Sequence, residues 1–159
     1  MSTLLQVIFW RHAEAEDAPA GGDDLRRALT RNGRRDASAM AAWIKAHVPK
    51  PWLVCCSPAL RSRQTALALA DYPVEQPGLA PGASPDDILR IIEHHGEHRS
   101  ALVLCGHQPA LGSAALQWLS GTRAAFTLRK GGMIWVCQRE RDGTPERVLR
   151  ASLSPDLLD

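Results

Sequence analysis

Three short apolar runs, each cut off abruptly by a polar or basic group, constrain this chain more than any other feature. They are Leu4 to Trp10, interrupted only by Gln6, then Trp52-Leu53-Val54-Cys55-Cys56, then Ala101-Leu102-Val103-Leu104-Cys105. Continuous apolarity with β-branched and aromatic members fits strands covered on both faces. Between and after them, apolar residues recur at helical spacing: Ala37, Met40, Ala41, Ile44 and Val48; Ile88, Ile91, Ile92 and His95; Leu111, Ala114, Ala115, Trp118 and Leu119. Strand and helix alternating in this way predict an α/β fold, a three-layer α/β/α arrangement around a mostly parallel central sheet with right-handed crossovers.

Local signals set the boundaries. Thr30 can cap the first helix, and Pro49 and Pro51 end it. Ser57-Pro58 and Ser84-Pro85-Asp86-Asp87 both place a capping hydroxyl before a proline, a helix-start pattern, and Pro109 starts a fourth helix. Tyr72 to Pro81 is an irregular connection. Beyond Gly121 the texture changes to Ala125–Leu128, a Gly131-Gly132 break, Met133–Gln138 and Arg147–Leu153. Asp142-Gly143 is a hairpin turn signal, so the sheet is expected to finish with an antiparallel pair. With no internal repeat or linker, residues 1–159 read as one domain.

Composition excludes several classes of function. At 45% hydrophobic and 23% charged residues the chain is that of an ordinary globular protein with a sizeable core. A net charge of +2, carried by scattered arginines, does not point to nucleic acid. No stretch approaches the roughly 20 apolar residues of a membrane span, and the start lacks a signal-like segment. The expectation is a cytoplasmic protein with no membrane partner. Cys55, Cys56, Cys105 and Cys137 form no CxxC pair and are expected to be buried, reduced thiols. His94, His95 and His98 with Glu93 and Glu97 look superficially like a metal cluster. His95 belongs to an apolar stripe and the others suit a helix end, so no metal site is expected there.

Each apolar run ends beside a basic group. Arg11 and His12 follow the first, Arg61 falls just inside the helix after the second, and His107 follows the third within Gly106-His107-Gln108-Pro109. In an open parallel sheet the carboxyl ends of the strands share one rim, where ligands bind. Two arginines and two imidazoles converging there make an anion site suited to a phosphoryl group, because the guanidinium fork matches its oxygens. A neutral imidazole is also a competent nucleophile, and neighbouring guanidinium charge is expected to keep His12 neutral. A protonated His107 could stabilise charge on the phosphoryl oxygens during transfer. That scheme needs no metal or cofactor.

The stretches Arg11-His12, Ser57-Pro58-Ala59-Leu60-Arg61-Ser62-Arg63-Gln64-Thr65-Ala66 and Gly106-His107-Gln108-Pro109 together resemble the histidine phosphatase superfamily, with its phosphoglycerate mutase-like fold. The resemblance implies that His12 becomes phosphohistidine and that Arg11, Arg61 and His107 complete the phosphate pocket. The Arg-His-Ala-Glu-Ala start and Arg27-Ala28-Leu29-Thr30-Arg31-Asn32-Gly33 look most like the SixA-type branch, which removes phosphate from protein histidines. In that branch Arg27, from the polar loop after His12, would also reach toward phosphate.

Two departures bear on substrate. Ala13 stands where the superfamily usually has glycine, as the SixA-type branch tolerates. Ester-cleaving members place a carboxylate general acid between the second and third of these runs, whereas Leu79-Ala80-Pro81-Gly82-Ala83-Ser84 has none. An alkoxide leaving group needs such an acid, while the imidazole of a phosphoramidate departs readily. The expected substrate is therefore a histidine-phosphorylated protein. The alternatives are a small phosphorylated molecule, with Glu14, Glu16, Asp86 or Asp87 supplying the proton, or a non-catalytic phosphate-recognition module.

Overall fold

The structure, a computed structural model, describes residues 4–96 and 100–158. Strands β1 (Leu5–Arg11), β2 (Trp52–Cys56), β3 (Val74–Glu75), β4 (Ala101–Gly106), β5 (Met133–Arg141) and β6 (Thr144–Leu153) form one sheet in the order β3-β2-β4-β1-β5-β6. The pairs β2·β3, β2·β4 and β1·β4 are parallel, and β1·β5 and β5·β6 are antiparallel. The helices are α1 (Arg31–His47), α2 (Leu60–Leu67), α3 (Pro85–His95) and α4 (Ala110–Ser120).

Alternation along β1 explains the layering. Val7 and Phe9 join one core cluster with Ile88, Ile91 and Ile92 of α3 and Leu111 and Trp118 of α4. Ile8 and Trp10 join the opposite cluster with Met40, Ala41 and Ile44 of α1 and Ala66 of α2. Successive strand side chains point to opposite faces, so a strand apolar on both can exist only between two helical layers. The predicted α/β/α arrangement is the one observed.

Three boundaries differ from the sequence reading. The irregular connection after Tyr72 contains β3, a two-residue edge strand whose exposed side chains give no apolar signal. The last strand begins at Thr144, three residues before the expected Arg147. The helix expected from Ser57-Pro58 begins at Leu60, with Ala59 in the cap position and no side-chain cap. Ser57 lies one residue beyond β2, its N–H donating to the Cys105 carbonyl. The α3 start is as expected: Ser84 and Asp87 form a reciprocal capping box with Pro85 at the first position. Asp142 (φ 52°) and Gly143 (φ 77°) make the turn of the β5–β6 hairpin, both in the left-handed region that a primed two-residue turn demands.

Candidate active site

Register brings the three strand ends level. Arg11 of β1 pairs with Gly106 of β4, and Cys105 of β4 with Cys56 of β2, so His12, His107 and Ser57 leave the sheet side by side. The His12 N–H donates to the Gly106 carbonyl, extending the ladder one residue beyond β1. The imidazoles of His12 and His107 lie with ring centroids 5.0 Å apart.

The segment before β5 braces this end of β1. Arg11 N–H donates to the Gly132 carbonyl, Gly131 N–H to the His12 carbonyl, and Trp10 Nε1 to the Gly131 carbonyl. Gly131, at φ 74°, makes the reversal that allows these contacts. On the other side Ala13 N–H donates to Thr65 Oγ1, whose hydroxyl donates to the Arg61 carbonyl. One hydroxyl thus joins the residue after His12 to the residue carrying the buried guanidinium. The methyl of Ala13 is fully buried against Leu29 and Ala37, which gives the alanine a packing role.

His12 Nδ1 is 2.7 Å from the Ala13 carbonyl oxygen. A carbonyl only accepts, so Nδ1 carries the hydrogen and Nε2 keeps its lone pair. The His12 pKa is pushed down to about 4, chiefly by burial and further by the charges of Arg61, Arg11 and Arg27, against the raising effect of the Ala13 bond. Neighbouring guanidinium charge, the cause expected from sequence, is real but secondary. His107 is lowered to about 3, again chiefly by burial, then by His12 and Arg61. The resting site therefore holds two neutral imidazoles, and His107 would gain a proton only with an anion beside it. His107 Nε2 is hydrogen-bonded to Ser57 Oγ at 2.8 Å, and that oxygen also accepts from Ala59 N–H. Ser57 is thus a residue of the site, not a helix cap. Pro109 caps α4, as expected, and the helix opens at Ala110, three residues past His107.

Arg61 is buried in the first turn of α2 as expected. Its Nη1 donates to the Asp24 carbonyl at 2.9 Å and its Nη2 to Asp24 Oδ2 at 3.1 Å. Arg27 donates through Nη1 to Asp24 Oδ1 at 3.1 Å and through Nε to the Glu16 carbonyl at 2.7 Å. Asp24 was not singled out in the sequence. Its spacing of three from Arg27 was visible, but its meeting with Arg61 depends on how the loop folds. Arg11 Nη1 donates to the Leu128 carbonyl at 2.7 Å. The Nε groups of Arg11 and Arg61 are buried with no acceptor among the described residues. Buried donors of this kind are costly unless something accepts from them.

The proposed acids lie elsewhere. Glu14 Oε1 accepts from the Thr30 hydroxyl, Asp86 pairs with Arg123, and Asp87 caps α3 and pairs with Arg90. Glu16 lines a separate cleft of the loop with Asp17, Pro19, Gly22 and Arg27. A cleft of about 220 Å³ opens beside His107, lined by Ala80, Gly82, Ala83, Pro85, Gln108 and Ser113 among others, with no carboxylate.

The four cysteines are buried and form no disulfide with one another. Cys56 ends β2 and Cys105 is the penultimate residue of β4, near the site, but burial raises their thiols to about 11 and about 12, so neither is a nucleophile at neutral pH. Among the described residues no group of three His, Cys, Asp or Glu side chains could hold a metal ion. Glu97 and His98 of the histidine-rich stretch lie outside the described residues. No helix among those described is long and apolar enough to cross a membrane.

The profile of the histidine phosphatase superfamily (branch 1) matches residues 7–80. An uncharacterised protein of Mycobacterium tuberculosis is 34% identical over 122 residues, 75% of this chain and 77% of its own. The chain belongs to the histidine phosphatase superfamily. Among solved structures, the protein histidine phosphatase SixA in complex with tungstate matches with TM-score 0.78 and 25% identity, covering 97% of this chain and 99% of that one. An Entamoeba histolytica phosphoserine phosphatase in complex with 3-phosphoglyceric acid matches with TM-score 0.66 and 18% identity, over 94% of this chain and 97% of that one. The fold is thus shared across the superfamily, and the higher score belongs to SixA.

Proposed function

We propose that this chain is a phosphohistidine phosphatase working through a covalent intermediate on His12. Its Nε2 lone pair attacks phosphorus, and the P–N bond to the substrate imidazole breaks. The departing ring takes a proton on its far nitrogen from solvent. Water then adds to phosphorus, the P–Nε2 bond returns its electrons to His12, and inorganic phosphate leaves with the oxygen of that water. Arg11, Arg61 and Arg27 offer charge-assisted donors to the oxygens, and His107 acquires its stabilising proton as the phosphoryl dianion arrives.

The observation carrying the substrate class is the acid-free cleft beside His107. The carboxylate nearest the arginines, Asp24, is held below the usual carboxylate range by hydrogen bonds from Arg27 and Arg61. It therefore has no proton to give an alkoxide at neutral pH. A phosphoramidate needs none from the protein. The partner this chemistry fits is a protein phosphorylated on histidine.

Turnover in EDTA, comparing a histidine-phosphorylated protein and phosphoramidate with an alkyl phosphate, tests the reading. Strong preference for P–N cleavage is the expected result. Equal or better ester hydrolysis would move the substrate to a small phosphorylated metabolite, and turnover of neither would leave a recognition module.

A further inference from the structure

The phosphate site already contains an anion of its own. The two nitrogens by which Arg61 would grip a phosphoryl group go to the carbonyl and the carboxylate of Asp24, and Arg27 holds the second carboxylate oxygen. A phosphoryl group and Asp24 cannot both have these donors.

We propose that Asp24 is the specificity-determining residue of the phosphate site, its carboxylate occupying the anion seat until a phosphoryl dianion displaces it, so that monoanions such as carboxylates are refused. The inference rests on the reading of Arg61 and Arg27 as phosphate ligands.

Burial gives the exchange its direction. The Arg61 side chain is 6% exposed and that of Asp24 57%. A buried guanidinium without a counter-ion is strongly unfavourable, so the empty site needs an anion close to Arg61. Asp24 supplies it while remaining mostly in water, and little is lost when it swings fully out. An incoming acetate offers the same charge and the same two carboxylate oxygens, lacks the main-chain carbonyl that Asp24 also gives Arg61, and bears a cost of association that Asp24 does not, so it gains nothing. A phosphoryl dianion brings a second charge and a third oxygen. It can serve the guanidinium fork and also the buried Arg61 Nε, which no group among the described residues reaches.

The loop is built for such an exchange. Its neck is closed by a bridge between Ala15 and Leu29 and by the bond from Glu16 N–H to the Ala28 carbonyl. Arg27 Nε is fastened to the same neck through the Glu16 carbonyl, so Arg27 stays near the site when Asp24 leaves. Beyond the neck, Asp24 opens a three-residue 3₁₀ turn, capped by Asp23 and preceded by Gly21 at φ 74° and Gly22. The turn can move without unfastening the neck.

Asp23 supplies the control, because it carries the same charge one residue away and its carboxylate accepts from Leu25 N–H rather than from Arg61 or Arg27. Titration calorimetry at pH 7 and fixed ionic strength would compare wild type, Asp24→Asn and Asp23→Asn with inorganic phosphate and with acetate. The expected result is phosphate binding about tenfold tighter in Asp24→Asn, acetate binding appearing in that variant alone, and less than about twofold change in Asp23→Asn. In steady state Asp24→Asn should lower KM for phosphoramidate, and Asp23→Asn should not. Equal shifts in the two variants would reduce the effect to bulk charge and overturn the proposal. Weaker phosphate binding in Asp24→Asn would overturn it too, by making Asp24 the group that holds Arg61 in place. Because binding is read without any substrate, the Asp24 gain is expected even if the natural substrate proves to be an ester.

Discussion

The His12 imidazole is oriented by its own neighbour: Nδ1 donates to the carbonyl of Ala13 at 2.7 Å, which leaves Nε2 unprotonated with its lone pair available. A main-chain carbonyl does here what a buried carboxylate does in many catalytic histidines, without adding negative charge to a phosphate site. His12→Ala should lower turnover by about three orders of magnitude or more while leaving inorganic phosphate binding partly intact. Steady-state rates and a phosphate titration on the same preparation check both halves.

Removing the Ser57 hydroxyl should cost more than its size suggests. Ser57→Ala strips His107 Nε2 of its 2.8 Å partner and leaves the Ala59 N–H without an acceptor. About 1–3 kcal/mol of stability and about tenfold in kcat are the expected losses. Ser57→Thr, which keeps the oxygen, should restore most of both in chemical denaturation and kinetics.

Stability should depend on pH through the two imidazoles. Both are lowered on folding, to about 4 for His12 and about 3 for His107, from the ordinary imidazole value of 6.5. Between those folded values and 6.5 the unfolded chain binds more protons, so unfolding free energy rises with pH across that window and is flat in these groups above it. Chemical denaturation at pH 5 should show lower stability than at pH 7.5, and Cε1 proton shifts should show His12 still neutral at pH 5.5. A His12 titration near 6.5 would contradict the buried, tautomer-fixed geometry.

Gly33 in the first turn of α1 is a packing requirement. A Cβ there would stand 2.0 Å from the Glu14 carbonyl oxygen, main chain that cannot turn aside, and that carbonyl also accepts from Thr30 N–H. Gly33→Ala should destabilise the protein by about 1–3 kcal/mol despite alanine's better helix propensity. It should also lower turnover, because Glu14 lies two residues from His12. Thermal melts and kinetics on one sample would show both.

The positions of Arg11, His12, Arg61 and His107 at the strand ends were legible because continuous apolar runs and helix periodicity fix where strands stop, and β register does the rest. The hairpin was legible from Asp142-Gly143, whose left-handed backbone few other residue pairs accept. Edge strand β3 was not, because an exposed two-residue strand leaves no apolar pattern. Ser57 was read as a cap because Ser-Pro is a local signal, while its bond to His107 joins residues 50 apart. Asp24 was hidden for the same reason, lying in a polar loop whose composition does not say which acid turns inward. The fold of such a chain is written in periodicity, and the contacts that tune its chemistry are written between distant loops.

The placement of β1 has a consequence for how the site is lost. Two strands, β5 and β6, separate it from one edge of the sheet, and β4, β2 and β3 from the other. Fraying begins at edges and loops, so local opening can release β3 or β6 while Trp10 to His12 remain clamped by β4 and the Gly131-Gly132 turn. The amide hydrogens of that stretch should therefore exchange only through complete unfolding. They make the nucleophile's own strand a reporter of the global stability of the molecule.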